Sequence, residues 1–193
     1  MRIRPVGAHA LLLEFDTGPD AGKEPDTAGE GPDTGDAAAD AALVEAWRGE
    51  LWRRREAGEL RATEIVPAAR TILLDGVPDA GATARLVAGW PPPPPADATA
   101  GAELEIPTRY DGDDLPDVAA LWGVEVAEAV RRISGTPLRV AFCGFSPGFG
   151  YLTGFPPDWA VSRLATPRPR VPVGSVALAG PYAGIYQTAS PGG

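Results

Sequence analysis

Trp90-Pro91-Pro92-Pro93-Pro94-Pro95-Ala96 decides how this chain is divided. Consecutive prolines lack amide donors and hold φ near −65°, so the run can enter neither a helix nor a sheet interior. It predicts a stiff polyproline spacer of about 15 Å. With the small residues up to Ala102 it marks a linker over 91–102, between a domain at 1–90 and a second at 103–193. The run lacks the basic flanks of a proline-rich ligand, so a spacer is the reading.

Upstream of the linker, Ile3 to Phe15 reads as one strand, with Leu11, Leu12 and Leu13 supplying apolar bulk. Residues 17–40 contain no Val, Ile, Leu or aromatic residue and repeat Pro19-Asp20, Pro25-Asp26-Thr27 and Pro32-Asp33-Thr34. With nothing to bury, this segment is expected to be a disordered acidic insert. Leu43, Val44, Trp47 and Leu51 recur at helical spacing over Ala41–Ala57, and Gly58 is a stop. Trp47 reads as core, Trp52 as edge packing, and Arg53-Arg54-Arg55 as a solvated last turn suited to the helix dipole. Thr63–Val66 and Thr71–Asp75 read as strands joined at Pro67, and Asp79–Trp90 as a second helix. The order β-α-β-β-α predicts an open α+β sandwich of ferredoxin-like kind.

The whole chain has 193 residues, 44% of them hydrophobic and 22% charged, enough for a packed core. Its 24 glycines and 22 prolines predict many turns and short strands. A net charge of −9 argues against non-specific nucleic-acid binding. No run of 18 apolar residues exists, so no membrane span is expected, and the N-terminus reads as a strand rather than a signal peptide; a cytoplasmic setting follows. Single Cys143, His9 and Lys23 exclude an intrachain disulfide, a histidine cluster, a multi-cysteine metal site and a Walker-type phosphate loop with its lysine. No metal ligands are assigned.

The second domain starts with Glu103–Pro107 as a strand, a polar turn at 110–114, and helical patterns over Leu115–Trp122 and Val124–Ile133. From Leu138 the pattern changes to short apolar runs between Gly and Pro: Leu138–Cys143, Val173–Leu178 and Gly184–Gln187. That favours a β-barrel or β-sandwich. Cys143 reads as an inert core thiol.

Gly144-Phe145-Ser146-Pro147-Gly148 matches the form of a hydrolase nucleophile elbow, which requires strand, turn and helix. Pro147 and Gly148 preclude that helix, and no downstream His exists for a triad. The better reading is a loop whose glycines let backbone approach a ligand and present N–H groups to an anion. Arg163, Arg168 and Arg170 lie close together among prolines. They suit bidentate capture of carboxylate or phosphate, or else a solvated barrel rim. Gly184-Ile185-Tyr186 and Ser190-Pro191-Gly192-Gly193 add hydroxyls and glycine backbone. The candidate substrate- or anion-binding residues are therefore Gly144, Phe145, Pro147, Gly148, Tyr151, Arg168, Arg170, Gly174, Ser175, Tyr186 and Ser190. No catalytic residue is assigned.

Phe145-Ser146-Pro147-Gly148-Phe149-Gly150-Tyr151-Leu152, Ala165-Thr166-Pro167-Arg168, Val171-Pro172-Val173-Gly174-Ser175-Val176-Ala177-Leu178-Ala179-Gly180 and Gly184-Ile185-Tyr186 through Ser190-Pro191-Gly192-Gly193 follow in that order. They resemble the family containing the 5-oxoprolinase B-type subunit, allophanate hydrolase subunit 1 and the kinase inhibitor KipI. The resemblance implies a ferredoxin-like α+β N-terminal domain followed by a cyclophilin-like β-barrel. It further implies ATP-dependent opening of 5-oxoproline to glutamate, with Mg and ATP bound by an assembled complex. The partners so implied are the C-type and, separately, the A-type components of 5-oxoprolinase, this chain supplying half of a composite site for a small molecule. Inhibition of a histidine kinase, or a biotin-requiring carboxyltransferase role in urea or allophanate metabolism, are the other activities the family implies. Three departures stand out: a shortened Arg168-Pro169-Arg170 segment, Ile133 where the family has a nearby His, and Gln187 where it prefers Pro. Family members also continue past Gly193 with strands that close the barrel, so this sequence is expected to be either a fragment or an incomplete barrel with an open edge.

Overall fold

Pro5 and Gly7 break the first apolar segment, and what reads as one strand is a hairpin: β1 (Arg2–Pro5) and β2 (Ala10–Glu14). Gly7 has φ of 69°, which turns the chain, and the Val6 amide donates to the Ala10 carbonyl at 2.8 Å. This computed structural model describes residues 1–15, 37–94 and 101–192. The expected disordered insert therefore lies, up to residue 36, outside the described residues, as does the 95–100 part of the linker.

The chain divides into two compact units. One comprises the described residues up to 94 together with Ala141–Gly144; the other comprises 101–140 and 145–192. In the first, α1 (Ala37–Glu56) and α2 (Ala80–Ala88) accompany a four-stranded antiparallel sheet in the order β1-β2-β4-β3, with β3 at Glu64–Pro67 and β4 at Thr71–Asp75. A ferredoxin-like unit places a final strand after its second helix, beside the first strand. Here β1 fills that edge from the N-terminal side of the hairpin. Helix α1 begins at Ala37, inside the segment expected to be insert. Alanines favour the helix, Asp40 in the first turn suits its dipole, and Asp40 is buried.

Alternation along β2 and β4 sends Leu11, Leu13, Ile72 and Leu74 into one core with Phe15, Val44, Trp47, Leu51, Val77 and Val87. Trp47 is core, and Trp52 is an exposed edge residue beneath the Arg55 guanidinium, 3.9 Å from its ring centre. Along α1, Glu50 accepts from Arg53 Nη2 at 2.8 Å and from Arg54 Nε at 2.6 Å. Asp79 caps α2 by accepting from the Ala82 amide at 2.8 Å.

In the second unit, α3 (Leu115–Leu121) and α4 (Val126–Gly135) pack as neighbours, each burying one small residue, Ala119 and Ala129. Trp122 Nε1 donates to the Trp159 carbonyl at 3.1 Å, and Arg132 lies over the Trp159 ring. Strands β6 (Gly150–Thr153), β8 (Val176–Ala179) and β9 (Tyr182–Ile185) form an antiparallel sheet in the order β6-β9-β8, while β5 (Arg139–Cys143) has its last three residues grouped with the first unit. Strands β7 (Arg168–Val171) and β10 (Ser190–Gly192) pair separately. Among the described residues the sheets stay open and do not close into a barrel.

Three further expectations are corrected. Residues Glu103–Pro107 form no strand, and Leu104 is 81% exposed: the alternation is present but no strand among the described residues pairs with it. The expected strand Val173–Leu178 starts only at Val176, because Val173 and Gly174 form a turn. Cys143 is exposed, not a core thiol, because β5 is largely solvent-accessible and its last residue packs into no core. No helix among the described residues is long and apolar enough to cross a membrane.

Leu74 is fully buried, so Leu74→Ala should cost about 3 kcal/mol in urea unfolding, from lost transfer energy and the cavity left behind. The Arg53 hydrogen bond, seconded by Arg54, holds the Glu50 carboxyl at about 2 in the folded protein against an ordinary 4.5, although partial burial opposes this. A depressed folded pKa stabilises above the unfolded value and is lost as pH falls towards the folded one. Stability measured by denaturant titration should thus decline from pH 4.5 towards 2, and Glu50→Gln should flatten that decline.

Candidate functional site

Two turns of the same design lie in the second unit. Ser146 to Phe149 closes with the Phe149 amide donating to the Ser146 carbonyl at 3.0 Å. Pro147 holds the second position and Gly148, with φ of 79°, the third. Pro172 to Ser175 closes likewise at 3.3 Å, with Gly174 at φ of 80°. A positive φ at the third position defines a type II turn and favours glycine there. Phe145, just before the first turn, has φ of 64° and is the one described non-glycine residue with positive φ. Backbone of this kind in a bulky residue is strained and persists only where surroundings impose it.

Those surroundings are aromatic. Phe149 packs edge-to-face on Phe145, Tyr151 and Tyr186 at centroid distances of 5.3, 5.2 and 5.5 Å, and Tyr151 continues to Tyr182 at 5.8 Å. The stack lies directly on backbone. A Cβ at Gly184 would stand 2.5 Å from the Phe149 ring, and one at Gly192 would stand 2.0 Å from the Tyr186 hydroxyl oxygen.

Tyr186 ties the turns together. Its carbonyl accepts from the Gly174 amide at 2.6 Å, and its amide donates to the Ser175 carbonyl at 2.9 Å. The next residue, Gln187, donates its side-chain amide to the Gly148 carbonyl of the other turn. Ser190 opens β10 opposite Val171, and Gly192 sits opposite Arg168. Thus Phe145, Pro147, Gly148, Tyr151, Gly174, Ser175, Tyr186 and Ser190 are linked through one set of rings, turns and strand pairs. Gly144 ends the Ala141–Gly144 segment grouped with the other unit.

The arginines are placed differently. Both Arg168 and Arg170 point from β7 to an exposed surface. Arg168 grips Asp114 with both terminal nitrogens, Nη1 to Oδ2 at 2.5 Å and Nη2 to Oδ1 at 2.6 Å. The Arg168 hydrogen bond holds the Asp114 carboxyl below the ordinary carboxylate range, and the same bond raises Arg168. A hollow of about 390 Å³ lies elsewhere, in the first unit, lined by Met1, Ile3, Ala84, Arg85 and Ala88.

The candidate set from sequence left out Phe149, Gly184, Gln187 and Asp114. The recurrence of aromatics at 145, 149, 151, 182 and 186, interleaved with glycine, signals the stack. Nothing local signals the Asp114–Arg168 pair, whose partners are 54 residues apart.

Chemically, the region offers glycine-turn backbone, a packed tyrosine hydroxyl and a guanidinium strand, a set suited to small polar or anionic guests. Residues 1–193 match the family described as "Carboxyltransferase domain, subdomain C and D", and the chain belongs to that family. It is 43% identical over 93 residues to the B-type subunit of 5-oxoprolinase from Escherichia coli O157:H7, a match covering 47% of this chain and 43% of that protein. It is 41% identical over 96 residues to the B-type subunit of 5-oxoprolinase from Haemophilus influenzae, covering 48% and 45%. The matches thus span less than half the length of these relatives. The crystal structure of TTHA0988 superposes with a TM-score of 0.62 at 33% identity, over 96% of this chain and 33% of that one.

Gly184→Ala should force the Phe149 ring off the sheet. Near-UV circular dichroism of the variant should lose aromatic signal and its melting temperature should fall by several degrees, while far-UV helix signal stays close to wild type.

Proposed function

We propose that the chain works as a non-autonomous part of an ATP-dependent 5-oxoprolinase, opening the cyclic amide of 5-oxoproline to glutamate. The observation that carries this reading is the 43% identity to a B-type subunit of 5-oxoprolinase. In this reading the partners are the C-type and A-type components of the complex, and the setting is cytoplasmic.

The donor set bounds the chain's part. Exposed Arg168 and Arg170 and the glycine turns suit carboxylate or phosphate oxygens. Among the described residues no cluster of three or more His, Cys, Asp or Glu could hold a metal ion. In this reading ATP with its Mg binds the assembled complex, where it would supply the phosphoryl group that, carried on the lactam oxygen, makes the ring carbonyl a better electrophile for water. The residues of this chain bind and orient: in this reading the guanidiniums on β7 hold the guest's negative charge. The aromatic stack under the glycine turns fixes their position.

The family description also fits a carboxyltransferase-type subunit of urea or allophanate metabolism. A requirement for biotin distinguishes that reading from the first.

Two measurements test the proposal. Co-expression with the A-type and C-type components should give 5-oxoproline-dependent ADP release that is lost when this chain is omitted; unchanged release would refute it. Arg170→Ala should lower the activity of the assembled complex about tenfold while leaving the melting temperature unchanged, as expected for a charge-assisted contact made only to substrate.

A further inference from the structure

Asp114 occupies the residue before α3, where an aspartate ordinarily accepts hydrogen bonds from the first helical amides. It makes no such bond. Its carboxylate instead takes both terminal nitrogens of Arg168, the end-on geometry in which an arginine binds any carboxylate. Both side chains are nearly half exposed, 43% for Arg168 and 47% for Asp114, so solvent and solutes reach the pair. Asp113 adds a second negative charge beside the same guanidinium. Arg168 is therefore neutralised at rest, by a group that copies a ligand's carboxylate.

We infer that Asp114 is a built-in competitor for Arg168, so that a small-molecule carboxylate enters by displacing a carboxylate already on the fork. This rests on β7 belonging to the binding site, as proposed above. Exposed ion pairs are weak, so the exchange is cheap and reversible. Occupation of Arg168 by Asp114 lowers apparent affinity by the fraction of time the fork is taken. It also selects against guests that cannot present two oxygens to the fork, because only two-oxygen heads recover both hydrogen bonds. Once released, Asp114 is next to the α3 amides it does not cap at rest.

The test is a titration with acetate at constant ionic strength, chloride being the balancing anion. It follows the Arg168 Nε–Hε nitrogen-15 NMR signal, assigned by its loss in Arg168→Lys. Asp114→Asn should bind acetate about three- to fivefold more tightly than the wild-type chain. Asp114→Ser, which keeps a helix-capping oxygen, should do the same and guards against a folding defect at α3. Equal or weaker acetate binding in both variants, with Arg168 still responding in the wild type, would overturn the inference and make the pair a structural tie. If Arg168 responds to acetate in none of the three proteins, the inference fails together with the site reading beneath it.

Discussion

Phe149 and Tyr186 can lie against strand backbone only because Gly184 and Gly192 carry no Cβ. That steric allowance organises the second unit. It brings aromatic rings into the place where a larger protein puts interdigitated aliphatic side chains, and edge-to-face contacts then spread from Phe145 to Tyr182. The two type II turns inherit their positions from this stack: one bonds to the backbone of Tyr186, the other to the side chain of Gln187. A close-packed ring cannot shift by a fraction of an ångström without meeting backbone, so the turns are held by packing rather than by their own few hydrogen bonds.

The two units are stabilised by different means. The first has a conventional aliphatic core, with Leu11, Leu13, Leu51, Ile72 and Leu74 shielded from solvent, and cross-strand register alone explains which residues point inward. In the second, Phe149 and Tyr186 are among the few large buried residues, while Leu121, Val140 and Val173 stay more than half exposed. Its helices contribute small buried residues and a tryptophan pair rather than a leucine stripe. Stability there depends on a handful of specific contacts, each costly to alter.

The fold of the first unit was legible because period-2 alternation in Thr71–Asp75 and helical spacing at Leu43, Val44, Trp47 and Leu51 each demand one structure. The hairpin at Val6–His9 was not, because Leu11-Leu12-Leu13 continues the apolar run past the break and masks the effect of Pro5 and Gly7. In the second unit, the Pro147-Gly148 pair marked its turn, since both residues carry their own backbone preferences, whereas the Val173-Gly174 turn was read as strand because the apolar run to Leu178 continues past it. Strands β6 and β10 were missed because Tyr151 and Ser190 lie in segments too short and glycine-rich for periodicity to show. The family resemblance was legible in those same turn motifs. The fate of Arg168 was not, since an ion pair across 54 residues depends on the tertiary fold alone.

Hydrogen exchange at individual amides probes the ring-and-glycine packing most directly. If that packing fixes the turns, the Gly174 and Tyr186 amides exchange as slowly as the β8–β9 ladder, by opening of the whole unit. Exchange of those two amides at the rate of an exposed loop, while the ladder stays protected, would contradict the account.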